Sequence, residues 1–270
     1  MKGALALEHP AFAIFDPPVR ARLATLDRFP EPSELRDLAL GQGGATEPWF
    51  DFEPEDTRRV RELGGFDRFI ALTRRIPTRR ACWHDLLGAL IWLHFPRLKT
   101  AIHQAQLAAE GSRRGARENA ATHLDESGVL VLSSEPRVFQ QLAELNWPEV
   151  FWHQRQALLG STRFLCFGHG LLDALRVPHP KLMGMAWFVR VSAAQLKLGA
   201  GELRALLDGS LSEHLPRFLV EPARLQPLPV LGIPNWSAGQ SAAFYDDTQY
   251  FRRARQRLRA SSAPAFVELG

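Results

Sequence analysis

Cysteine is nearly missing from this chain. Cys82 and Cys166 lie far apart and form no Cys-x-x-Cys pair, which excludes a disulfide scaffold, argues against redox chemistry and suits a reducing cytosol. Long apolar runs are missing too. The longest, Leu86 to Phe95, would cross about half of a bilayer as a helix. The apolar start, Met1 to Leu7, is interrupted by Glu8, His9 and Pro10 before it reaches the length of a signal peptide. The expected setting is therefore cytoplasmic, with no membrane partner. No Gly-rich phosphate loop, dinucleotide fingerprint, Gly-x-Ser-x-Gly elbow or His-Glu-x-x-His helix occurs, so the common ATP, NAD, serine-hydrolase and zincin readings lose support and no nucleotide cofactor is expected.

What is present is ordinary for a globular protein. In 270 residues, 33 basic and 29 acidic side chains leave a formal charge of +4, with 46% hydrophobic and 23% charged residues. Disorder, collagen and coiled coil are excluded. A chain of this size can bury roughly three quarters of its unfolded surface. Lysine is scarce, with 29 Arg against 4 Lys, a bias that reads as codon composition. The densest basic run, Arg252 to Arg259, predicts an Arg-rich C-terminal helix and tail over 248–270. A helical pitch spreads those charges around the circumference, as on a solvated helix.

Residues 1–74 read as short helices and loops, with Pro17 and Pro18 at a helix start and Gly41, Gly43 and Gly44 at a stop. A helix is expected from Pro54 to about Leu63 and a short amphipathic piece from Gly65 to Pro77. Trp83 to Phe95 carries apolar residues in nearly every helical direction, the pattern of a central buried helix. His84 and Asp85 sit in its first turn, where exposed amides favour an anion. They fit either a capping carboxylate with a core histidine or a reactive pair. Arg97 and Lys99 follow Pro96 as anion ligands or solvated cations, and Arg117 lies in the next charged stretch.

Asp125-Glu126-Ser127-Gly128 between two apolar runs matches a type I turn closed by a left-handed glycine, predicting an antiparallel hairpin over about 120–132. Paired catalytic or metal-binding carboxylates are the competing reading of Asp125 and Glu126. An extended first strand would place His123 and Asp125 on one face. Arg163 to Leu175 reads as a buried strand, a glycine and a helix starting near His169. His169 and Asp173, four residues apart, then share a helical face as an ordinary pair, as metal ligands or as a proton-transfer couple.

Five ordered segments support a resemblance: Trp83 to Lys99, Leu124 to Val129, Phe167 to Leu171, Leu228 to Pro234 and Phe244 to Asp247. Together, from about residue 75 to residue 255, they resemble the bacterial domain-of-unknown-function family numbered three-zero-two-five. Gly88 stands where that family usually has asparagine, and His123-Leu124 where a Phe precedes the Asp-Glu pair. The resemblance implies a single bacterial domain and supplies no activity, cofactor or catalytic residue.

The fold expected is a predominantly helical α+β domain with a small antiparallel sheet. The function expected is a hydrolase or transferase acting on an anionic small molecule. His84, Asp85, His169 and Asp173 are its candidate catalytic residues, Arg97 and Arg117 its anion ligands, and a divalent metal a candidate cofactor. Polar groups inside the two most apolar segments motivate it, because their burial is costly without a return. The alternative is a non-catalytic scaffold whose Arg-rich helix and tryptophans bind nucleic acid or protein. Against it, basic and aromatic residues are not interleaved, and no helix-turn-helix, zinc-finger or RNA-binding signature occurs.

Overall fold

The computed structural model describes residues 7–39, 49–108, 115–252 and 264–270. A 3-10 turn at Pro10–Ile14 precedes α1 (Pro17–Ala24), which starts on its two prolines, and α2 (Leu35–Ala39). Strand β1 (Asp51–Pro54) leads through α3 (Thr57–Glu62) and α4 (Phe66–Thr73) to β2 (Arg75–Thr78), and the two strands pair in parallel. The Asp56 carboxylate starts α3 by accepting from the Arg58 and Arg59 amides at 3.0 and 3.2 Å. Next come α5 (Trp83–His94) and α6 (Pro96–Leu107), separated where Pro96 cannot donate the next helical hydrogen bond.

The chain continues with α7 (Ala116–Ser127), β3 (Gly128–Ser133), α8 (Pro136–Ala143), α9 (Arg155–Ser161), β4 (Thr162–Cys166), α10 (His169–Ala174) and β5 (Met183–Arg190). It closes with α11 (Ala200–Phe218), β6 (Gln226–Pro229) and β7 (Val267–Glu268). The larger sheet runs β4-β3-β5-β6, with β7 also pairing β5. Every residue of β3 is buried, as its unalternating Val-Leu-Val-Leu run requires of a strand covered on both faces. It runs antiparallel to β4, with Leu130 opposite Leu165, and parallel to β5, with Leu130 opposite Trp187.

The α+β class and the helical majority agree with the sequence, but the sheet is mixed rather than antiparallel and the hairpin is absent. Asp125, Glu126 and Ser127 are the last turn of α7. Ala120, Ala121 and Leu124 bury one side of that helix, while Asp, Ser and Gly at its end are residue types that turns also favour. Gly128 has φ −65°, so it is not left-handed. Its role is close approach, since a Cβ there would stand 2.3 Å from the Leu124 carbonyl oxygen. His123 is exposed, and helical geometry turns it away from the Asp125 side.

The N-terminal segment belongs to the core. Phe12 and Phe15 are fully buried, with the Pro10–Ile14 turn against β4, and each such phenylalanine stabilises by about 1.5–3 kcal/mol. The two tyrosines are internal fasteners. Tyr250 Oη donates to the Leu182 carbonyl at 2.6 Å and accepts from the Leu231 amide at 2.9 Å, while Tyr245 Oη donates to the Gly232 carbonyl at 2.9 Å. Of the Arg-rich helix and tail expected over 248–270, residues 248–252 form turns rather than a helix and Val267–Glu268 is β7 beside β5, with Val267 and Leu269 buried, while residues 253–263 lie outside the described residues.

Candidate active site

Three chain segments meet where α5 begins, α7 ends and α10 begins. Glycines permit the approach. A Cβ at Gly168 would lie 2.5 Å from the amide nitrogens of Ser127 and Gly128, and one at Gly170 would lie 2.4 Å from Glu126 Oε2. On α5, a Cβ at Gly88 would touch the His169 ring at 3.2 Å. The His84 and His169 rings therefore come within 4.5 Å, centroid to centroid. They line a cleft of about 330 Å³ together with Asp125, Glu126, Lys99, Trp92 and Arg79. A second hollow of about the same volume, between Ile14, Phe164, Leu203 and Trp236, is mainly apolar.

His169 is the buried member, with 11% of its side chain exposed. Its Nδ1 lies 2.8 Å from the Asp125 main-chain oxygen. A carbonyl only accepts, so Nδ1 carries the proton and Nε2 keeps a free lone pair. That lone pair faces Glu126, whose Oε1 is 3.6 Å from His169 Nε2 and 4.0 Å from His84 Nε2. Burial pushes the His169 ring below the ordinary histidine range, against the opposing pull of Asp125. Behind it, the Lys99 ammonium is hydrogen-bonded to the Asp125 carboxylate and sits 5.0 Å from the centre of the Trp92 ring. Burial would raise the Asp125 carboxyl, but Lys99 and then His169 outweigh it and hold the group below the usual carboxylate range.

The other expected residues lie elsewhere or are engaged. Asp85 lines the cleft but accepts from the Arg79 amide at 2.7 Å and from its guanidinium at 2.7 Å. Burial would raise its carboxyl, and these hydrogen bonds bring it below the usual range instead. It thus secures the segment before α5 and does not cap that helix. Asp173 pairs with Arg176 at 2.7 Å rather than with His169. Arg97 is exposed beside Gly209, and Arg117 is exposed and donates to the Pro216 carbonyl at 3.1 Å. Neither lines the cleft.

The cleft also takes in Lys99 and the Asp125-Glu126 pair, the competing reading of those two carboxylates, and the structure adds His103 on the other wall, whose Nδ1 lies 3.1 Å from Asp67 Oδ1. One signal for the carboxylates was available. Two acids in the last turn of a helix face the negative end of its dipole, an unfavourable placement of the kind concentrated at functional sites.

The fold and site define an α+β protein with an imidazole-carboxylate cleft. The family described as Protein of unknown function (DUF3025) matches residues 50–255, and the chain belongs to that family. The match begins before the expected residue 75 and so takes in β1, α3 and α4. No curated protein and no solved structure matches the chain.

Proposed function

We propose that this protein is a hydrolase or transferase whose reaction centre is the meeting point of His84, Glu126 and His169. These groups would hold and activate a water or a substrate hydroxyl. One observation carries the reading: His169 is buried with its Nδ1 proton committed, so its free Nε2 and the Glu126 carboxylate aim acceptor atoms into one cleft 3.6 Å apart.

The substrate is a small molecule by the size of the cleft. An anionic group on it would meet Arg79 at the rim, where 55% of that side chain is exposed. Both cations are already paired, Arg79 with Asp85 at 2.7 Å and Lys99 with Asp125, so the anionic group would compete with Asp85 for the exposed guanidinium. A cytoplasmic location belongs to the same proposal, supported by two free thiols, Cys82 and Cys166. Among the described residues, no helix is long and apolar enough to cross a membrane.

The test is turnover of a panel of chromogenic carboxylic and phosphoric esters. Glu126→Gln should lower turnover by about 100-fold or more while the melting temperature holds. Full activity in that variant would overturn the proposal.

A further inference from the structure

We infer that His84 Nε2, Glu126 Oε1 and His169 Nε2 form a binding site for one divalent first-row transition-metal cation of the zinc class. The inference deepens the proposed reaction centre and rests on its assignment to this cluster. One donor atom from each of the three residues lies within 4.8 Å of the others. Ligands about 2.1 Å from a tetrahedral cation stand about 3.4 Å apart. The His169–Glu126 separation of 3.6 Å is close to that, and the 4.0 Å from His84 to Glu126 closes with a small movement. Glu126 can make that movement, since 46% of its side chain is exposed.

The chemistry of the donor set points the same way. Three ligand atoms converge, and among the described residues the side chains in ion-pair range of Glu126 are the two imidazoles, with no Lys or Arg. Lys99 does not supply the missing charge, because Asp125 holds its ammonium. The cleft as a whole is acidic: Glu55, Asp67, Asp85, Asp125 and Glu126 line it against Arg79 and Lys99.

Behind His169 the site is built as a metal-bound imidazole requires. The His169 Nδ1–H donates to the Asp125 carbonyl at 2.8 Å, which fixes the ring with Nε2 outward. Two nitrogen donors and one carboxylate suit zinc, cobalt, iron or manganese and disfavour magnesium and calcium. Three protein ligands also leave coordination positions open towards the cleft for water and substrate.

The full chain, stripped with EDTA and titrated with zinc chloride by calorimetry, should bind one zinc per chain, with no heat from magnesium chloride. Cobalt(II) in its place should give the visible absorption of a four- or five-coordinate centre. His84→Gln and Glu126→Gln should each weaken zinc binding by about 100-fold or more. Both side chains are part exposed, so the metal-free variants should keep the wild-type circular dichroism and melting temperature. No zinc binding by the wild type, or unchanged binding in both variants, would overturn the inference. Turnover that survives EDTA yet is lost in Glu126→Gln would overturn the metal and leave the reaction centre standing. Zinc bound at these residues without turnover of any ester would do the reverse.

Discussion

His94 and His169 meet the same physics with different outcomes. Both are buried, and both place Nδ1 2.8 Å from a main-chain carbonyl oxygen, that of Leu90 for His94 and that of Asp125 for His169. Burial pushes both rings below the ordinary range, His94 to about 4, with Arg204 adding to the effect there. The contrast lies at Nε2. In His94 that atom is buried without a partner among the described residues, in a ring packed edge-on against Phe15 at 5.2 Å. In His169 it faces Glu126 and an open cleft. A depressed, buried imidazole is therefore no mark of reactivity by itself. What the second nitrogen faces decides it.

The cleft's supporting charges give the largest test of this contrast. Replacing Lys99 by Met would leave Asp125 buried without its cation, at an expected cost on the order of 3–5 kcal/mol in urea unfolding. Turnover separates the two histidines next. His169→Gln should lose about 100-fold or more in kcat/KM, close to 3 kcal/mol of barrier, and His94→Gln should keep wild-type kinetics. Equal kinetic losses in both would erase the distinction.

Acid stability isolates the burial of His94. The folded His94 ring resists protonation until about pH 4, whereas an unfolded histidine takes its proton near pH 6.5. The unfolded state thus binds more protons in that interval, and stability falls as pH drops through it. Between pH 6.5 and pH 5 the wild type should lose roughly 1.5 kcal/mol more than His94→Leu, measured by denaturant titration at each pH. The smallest effect is expected at Asp173→Asn. It should change kcat/KM less than about twofold and stability by about 0.5 kcal/mol, because its partner is Arg176.

Much of this arrangement is legible in the sequence. The all-round apolar pattern of Trp83 to His94 marks α5, and the strand-glycine-helix pattern around Gly168 places His169 at the start of α10. His84 and His169 stand out as polar residues inside those segments. Their carboxylate partner does not, because α7 is weakly apolar and its last turn has the composition of a hairpin loop. Lys99 is hidden for a related reason, since a cation one turn after a proline resembles a solvated helix end. The parallel pairing of β3 with β5 joins residues more than fifty positions apart, which no local periodicity encodes. Asp85 and Asp173 have cationic partners six and three residues away, so their diversion from the site had a local trace in Arg79 and Arg176.

The two tyrosine fasteners also give the molecule an optical property. Burial pushes the Tyr245 phenol up to about 12, and Tyr250 is raised for the same reason. An unfolded phenol ionises near pH 10, so their contribution to stability is whole below that value and is lost as pH rises through the folded range. The chain has two tyrosines, and both are hydrogen-bonded inside. In the folded protein near pH 10.5 the ultraviolet absorbance of phenolate should be almost nil. Its appearance at that pH then counts unfolded molecules directly, without an added dye.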